Sequence, residues 1–298
     1  MRLAVDDVEL YFDVDGASLA AQGHELVSRP TLVLLHGGPG ADHSLFKPEF
    51  SAITDTAQVI YLDQRGSGRS DRSQLQMWTW ARWADDVAAF CKALSITAPV
   101  LVGSSSGGLV AMTCAFRHPD LVAGLALDST LGVPTSLTES LEIFERRGGP
   151  AAREAARRYL GGDTSPDAAQ AWKEHGLPYY AGANDGDMVA RRARALINDD
   201  VQAQFRLGGC GPADVAPFAA AITCPTLILA GEDDPVTPAV AARRLATLLI
   251  NAPVQLEILA GVGHSVFRQA PQTAFALLRA FLTAGVHAQP HAAHPSHT

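Results

Sequence analysis

Apolar residues recur along this chain in two rhythms, and the rhythms alternate. Val8, Leu10, Phe12 and Val14 point to one side of a polar-and-apolar alternation, which predicts a strand of an early hairpin. The runs Thr31–Leu35, Val59–Leu62, Pro99–Val102, Leu121–Leu127, Thr226–Ala230 and Val254–Leu259 are short and almost wholly apolar. Such runs fit strands covered on both faces, as in a parallel sheet. Between them the spacing changes to three and four. Trp83, Val87, Phe90 and Leu94 predict a helix over about Trp78–Leu94, and similar stretches predict helices from Gly107 to Arg117, Val240 to Leu249 and Gln272 to Leu282. Strands alternating with helices predict an α/β protein with a mostly parallel, doubly wound sheet flanked by helices. Ligands of such sheets bind at the carboxyl ends of the strands.

The alternation stops near Leu131. From there to about Ile222 the chain is rich in Ala, Arg and Glu, with Gly148-Gly149-Pro150, Gly161-Gly162 and Gly208-Gly209 as breaks and no buried-strand run. The expectation is a helical cap over 131–222, inserted between two parts of one core, 1–130 and 223–285. Residues 286–298, where His287, His291, His294 and His297 lie among Ala and Pro, are expected to form a disordered tail.

With 298 residues, 47% of them hydrophobic and 18% charged, the chain can bury a large core. Its formal net charge of -8 argues against a nucleic-acid partner. No apolar run reaches the ~18 residues of a membrane span. Met1-Arg2-Leu3-Ala4-Val5-Asp6-Asp7 has acids where a signal peptide would be apolar, so a cytoplasmic protein is expected. Cys91, Cys114, Cys210 and Cys224 are scattered and read as reduced residues, with neither a metal nor a disulfide pattern.

Chemistry gathers where predicted strands end. Val100-Leu101-Val102 runs into Gly103-Ser104-Ser105-Ser106-Gly107 and then a helix. A strand that turns at once into a helix crowds its backbone, so the positions flanking the exposed central residue must be nearly free of side chain. A register centred on Ser106 also fits a small-x-Ser-x-small pattern, but only Ser105 has glycine on both sides. A serine nucleophile needs a base, and the base needs an acid to orient it. Thr226–Ala230 leads to Gly231-Glu232-Asp233-Asp234, and Val254–Leu259 leads to Gly261-Val262-Gly263-His264. Asp234 is favoured over Asp233 because it lies far enough past Gly231 to turn inward. Asp128, ending an earlier strand, competes for the same role. His24, His43, His118 and His175 lack the strand-end setting of His264. The backbone N–H groups of Ser106 and of Gly38, in the loop after Thr31–Leu35, are the candidate oxyanion donors. His36 reads as a residue that holds its turn, and Asp63 and Arg65 as braces of the neighbouring loop.

Taken together, His36-Gly37-Gly38-Pro39-Gly40, Asp63-Gln64-Arg65-Gly66-x-Gly68-x-Ser70, Gly103-x-Ser105-x-Gly107 and the Asp234 and His264 segments resemble the α/β-hydrolase fold, and within it the proline iminopeptidase-like serine hydrolases. The resemblance implies Ser105 as nucleophile, His264 and Asp234 as its partners, Gly38 and Ser106 as oxyanion donors, a helical cap, and neither cofactor nor metal. It implies a small-molecule or short-peptide substrate, cleaved at an ester, amide or N-terminal aminoacyl bond. Two departures bear on the substrate. The residue after the nucleophile is Ser106, where the aminopeptidases have an aromatic one. Their Trp-Glu-rich cap stretch, which holds a free amine, is replaced by Trp172 and the scattered acids Glu139, Glu142, Glu145, Glu174, Asp185 and Asp187. A carboxylesterase, a lactonase or an acyltransferase would use the same residues. A non-catalytic binding protein on this scaffold would be expected to lack a member of the triad, and none is lacking here.

Overall fold

Eight strands form one sheet in the order β1-β2-β6-β5-β7-β8-β9-β10. They are β1 (Arg2–Val5), β2 (Val8–Asp15), β5 (Thr31–Leu35), β6 (Gln58–Leu62), β7 (Val100–Ser104), β8 (Gly124–Asp128), β9 (Thr226–Gly231) and β10 (Val254–Leu259). β3 (Leu19–Gln22) and β4 (Glu25–Ser28) make a separate hairpin. The arrangement comes from a computed structural model that describes residues 1–130, 132–134, 136–181 and 188–285. The predicted histidine-bearing tail and two of the cap acids, Asp185 and Asp187, lie outside the described residues.

β1 and β2 pair antiparallel, as does β2 with β6; every pairing from β6 to β10 is parallel. The apolar runs account for this. Leu32, Leu34, Val100, Val102, Ala126 and Leu227 face one apolar layer, while Val33, Leu35, Leu101, Leu125, Leu127 and Ile228 face the other. Strands buried on both faces need cover on both. Helices α1 (Trp80–Ala93) and α2 (Ser106–Arg117) cover one layer, and α9 (Pro271–Gly285) supplies Phe275, Leu278 and Phe281 to the other.

Boundaries depart from the sequence reading where capping decides them. α1 begins at Trp80, because the Thr79 hydroxyl accepts the Arg82 N–H at 3.2 Å and caps the helix. β8 begins at Gly124. Leu121 still turns back on the His118 carbonyl, and only at Ala123 does an N–H reach Pro99 of the neighbouring strand.

Between β8 and β9 lie α3 (Leu137–Leu160), α4 (Pro166–Ala171), α5 (Met188–Arg194) and α6 (Asp199–Arg206). No strand occurs there among the described residues. α3 is two helices joined at a kink. Gly149 adopts a φ of 72°, and Pro150 starts the second run. α3 and the turn after α4 have a small core of their own, Leu141, Phe144, Ala152, Ala156 and Trp172, while Val201 of α6 joins the sheet layer under α1 and α2. α7 (Ala239–Leu248) and the short α8 (Val266–Gln269) return the chain to the sheet. No helix of the described residues is long and apolar enough to cross a membrane.

Candidate active site

Ser105 sits between the last residue of β7 and the first of α2, with φ 53° and ψ -120°. The flanking glycines are required by contact. A β-carbon on Gly103 would lie 2.5 Å from the Gly108 Cα, and one on Gly107 would lie 2.0 Å from the Leu35 carbonyl oxygen. The loop after β5 presses equally close, since a β-carbon on Gly37 would lie 2.8 Å from the Ser105 Cβ. Thr130 donates its hydroxyl to the Ser105 carbonyl at 2.9 Å, and the Ser105 N–H reaches the Asp128 carbonyl at 2.9 Å. The unusual backbone at Ser105 is therefore held from both sides.

His264 and Asp234 come together from the ends of β10 and β9. His264 Nδ1 lies 2.8 Å from Asp234 Oδ2. Asp234 is fully buried, and its carboxylate also accepts the N–H groups of Val236 (2.8 Å) and Thr237 (2.9 Å) and the Thr237 hydroxyl (2.6 Å). Four donors fix the carboxylate, and an acceptor at Nδ1 sets the tautomer that leaves Nε2 unprotonated. Gly231 is what lets the two loops meet: a β-carbon there would lie 2.2 Å from the Val262 carbonyl oxygen. Asp233, by contrast, is a surface residue paired with Arg146 at 3.1 Å.

Asp128 does not bond His264. Its carboxylate accepts the Val266 N–H (2.7 Å) and the hydroxyls of Ser104 and Ser265 (3.2 Å each). Burial pushes this carboxyl above the usual range, against the pull of the Val266 hydrogen bond and the nearby His264.

Ser105 and Gly38 line two adjoining cavities. The smaller, of about 90 Å³, is also lined by His264, Leu45, Phe46, Phe50 and Phe267. The larger, of about 370 Å³, is also lined by Ser106, Tyr159, Trp172, Tyr180, Phe205 and Arg206. Gly38 has a φ of 124°, a conformation that favours glycine. The Ser105 hydroxyl has no hydrogen bond to another described residue, and Ser105 and His264 both line the smaller cavity.

The bracing residues behave as their positions suggest. His36 Nε2 accepts the Gln64 N–H (3.2 Å), and Nδ1 faces the Gly37 carbonyl (3.0 Å), so the ring is neutral with its proton on Nδ1. Burial, the main influence, lowers its pKa accordingly. Arg65 is fully buried against Asp86 and Asp7. Burial alone would raise the Asp63 carboxyl, but His43 and the Arg69 N–H hold it below the ordinary value. Asp42, His43 and Asp63 lie close enough to hold a cation. Their atoms are already committed: Asp63 to His43 (2.7 Å) and Arg69, Asp42 to Ser44, Arg69 and Leu196. All four cysteines are unpaired, and burial pushes the Cys91 thiol up to about 12.

Several contributors carried no signal in the sequence. Gln269 grips the His264 loop, donating to the His264 carbonyl (2.7 Å) and accepting the Gly263 N–H (2.8 Å). Tyr180 stands edge-on to the His264 ring at 4.8 Å, and its carbonyl accepts the His264 N–H. Arg147 donates to the carbonyls of Tyr179 (2.6 Å), Asp233 (3.1 Å) and Ala181. The cap acids take other places. Glu139 pairs with Arg244, Glu145 with Arg153, and none of the described ones lines either cavity.

Residues 30–271 match the model of the alpha/beta hydrolase fold family. The chain is 27% identical to a putative carbamate hydrolase RutD of Caulobacter sp. (strain K31), over 91% of this chain and 97% of that one. It is likewise 27% identical to the 2-(acetamidomethylene)succinate hydrolase of Mesorhizobium japonicum, over 95% of this chain and all of the relative. Among solved structures it resembles the proline iminopeptidase of Mycobacterium smegmatis, with a TM-score of 0.71, 23% identity, and 95% and 97% coverage.

Proposed function

This chain belongs to the alpha/beta hydrolase fold family, and from that premise we propose that it is a serine hydrolase acting on a small carboxylic ester or amide. The observation that carries the reading is the buried Asp234–His264 pair facing the same cavity as Ser105. Ser105 Oγ attacks the substrate carbonyl carbon as its proton passes to His264 Nε2. Asp234 holds the Nδ1 proton and steadies the imidazolium. The carbonyl oxygen, now an anion, sits beside the backbone N–H groups of Gly38 and Ser106, at the start of α2 where the helix favours negative charge. Collapse breaks the bond to the leaving group, which takes the proton from His264. Water, deprotonated by the same imidazole, then releases the acyl group and restores Ser105. Helices α3 to α6 act as the cap that closes this chemistry from solvent.

A putative carbamate hydrolase and a 2-(acetamidomethylene)succinate hydrolase among the similar proteins support small-molecule acyl cleavage. The aminopeptidase version calls for carboxylates that receive a free amine, and the described cap acids lie away from both cavities. The test is hydrolysis of short methyl and ethyl esters, with fluorophosphonate labelling, by the native chain and by Ser105→Ala. The substitution is expected to abolish labelling and lower kcat at least ~10³-fold. An undiminished rate would overturn the reading. Prolyl-naphthylamide, free and N-blocked, separates the aminopeptidase: a strong preference for the free amine would restore it.

A further inference from the structure

The two cavities differ in size, in charge and in access to His264, and the differences say which part of a substrate goes where. His264 lines only the smaller one. The group that protonates the leaving atom must reach it, so the leaving group occupies that side. At about 90 Å³ against about 370 Å³ it is the tighter of the two, which suits a leaving group of a few heavy atoms. The acyl group then extends from Ser105 into the larger cavity, whose 370 Å³ falls in the range of small-molecule sites, ~300–1,000 Å³.

That cavity has one formal charge in its described wall, the Arg206 guanidinium. Among the described residues Arg206 has neither an ion pair nor a hydrogen bond; its Cζ lies 6.0 Å from the Tyr159 ring centroid. From there aromatic rings lead back to the imidazole. Tyr159 stacks on Trp172 at 4.5 Å and 3°, Trp172 meets Tyr180 edge-on at 6.1 Å, and Tyr180 meets His264. Beside Ser105, the Ser106 hydroxyl is buried and has no hydrogen-bond partner, leaving a second polar group in the same wall unsatisfied. Of the two acids that line the smaller cavity, Glu49 pairs with Arg191 at 2.5 Å, and Asp128 is held by the Val266 N–H and the Ser104 and Ser265 hydroxyls.

We propose that the substrate is the ester or amide of a small alcohol or amine with an acyl group that itself bears a carboxylate, and that Arg206 pairs with that carboxylate at the far end of the aromatic wall. This rests on the serine-hydrolase reading and names its substrate class. A free ammonium in the same place would meet an unpaired cation, so the charge preference is opposite to that of an aminopeptidase.

The test compares three methyl esters of one chain length: monomethyl adipate (anionic), its ω-amide (neutral) and methyl 6-aminohexanoate (cationic). The native chain is expected to rank them by kcat/KM in that order, chiefly through KM, with the preference weakening as salt is added. Arg206→Ala should cut the anionic-to-neutral ratio about 10-fold or more, Arg206→Lys should keep part of it, and Arg206→Glu should favour the cationic ester. The neutral ester makes each variant its own folding control. A ratio unmoved by Arg206→Ala, in a chain that still labels with fluorophosphonate, would overturn the charge assignment while sparing the hydrolase. Absence of both labelling and ester hydrolysis would overturn both.

Discussion

Asp128 is 1% exposed, yet its carboxylate receives an N–H and two hydroxyls and leaves the imidazole to Asp234. From the sequence alone these two strand-end acids compete for one role. Their partners separate them: Asp234 orients His264, while Asp128 ties the loop after His264 to the strand before Ser105. Substitution should show the split. Asp234→Asn keeps the shape but presents the wrong donor to Nδ1, and kcat is expected to fall by up to ~10⁴-fold. Asp128→Asn can still accept from Val266 and donate to the two hydroxyls, so kcat should stay within about 10-fold. Asp128→Ala leaves the Val266 N–H without its acceptor and is expected to cost about 2 kcal/mol in urea denaturation. The pH dependence has a definite sign. Burial raises the Asp128 pKa, so between the ordinary carboxylate value and the raised one the folded chain holds more protons than the unfolded chain. Stability from this group therefore declines as pH rises through that window and stays at its lower level above it. Asp128→Asn lacks that decline. Its stability relative to the native chain should increase from about pH 4 to about pH 7, and a constant difference would refute the assignment.

At the level of elements, packing against the loop after β6 fixes α1. Arg65 is wholly buried, pairs with Asp86 of α1 through two bonds of 2.7 and 2.8 Å, and accepts the Trp83 indole N–H on its carbonyl at 2.9 Å. Burial still holds the Asp86 carboxyl above its ordinary value despite this partner. Arg65→Met leaves that carboxylate with Arg82 alone, at 3.2 Å. The expected loss is ~3 kcal/mol, with part of it recovered in Arg65→Met/Asp86→Leu, because an uncompensated buried charge costs more than an apolar pair. A double variant no more stable than the single would refute the argument. Elements of this kind were legible in advance because their causes are local. The β7–α2 turn announces itself through Gly103 and Gly107, whose β-carbons would strike backbone atoms, and the sheet through runs that are apolar on both faces. What escaped the sequence acts at a distance through backbone atoms. Gln269, Tyr180 and Arg147 support the site by bonding carbonyls and amides, which every residue possesses, so no residue type marks the partner. The starts of α1 and β8 escaped for a related reason: a hydroxyl cap and one inter-strand N–H outweighed apolar periodicity.

Across the whole molecule, α3 and the segment after α4 share a small core of their own, whereas Val201 of α6 packs into the sheet layer that α1 and α2 cover, and specific polar links add to this. Asn198 donates to the carbonyls of Gly40 and Gly66, and Arg191 pairs with Glu49. The link nearest the chemistry is Arg147. From α3 it reaches the carbonyls on both sides of Tyr180 and that of Asp233, so one guanidinium clasps the segment around Tyr180, beside His264, to the loop bearing Asp234. Burial lowers its pKa, but a guanidinium stays charged throughout the working range. Removing it should leave the sheet core intact and loosen the ring that packs against the imidazole. Arg147→Met is therefore expected to lower kcat/KM about 10-fold while shifting Tm by only a few degrees. Amide exchange should quicken at 177–181 and 232–237, and not in β5 or β7, because local opening draws on the links broken and not on global stability. If the clasp served stability alone, Tm would fall and kcat/KM, measured well below it, would match the native chain. Unchanged exchange at 177–181 would show that Tyr180 is held over His264 by its aromatic neighbours Trp172 and His264 without help from Arg147.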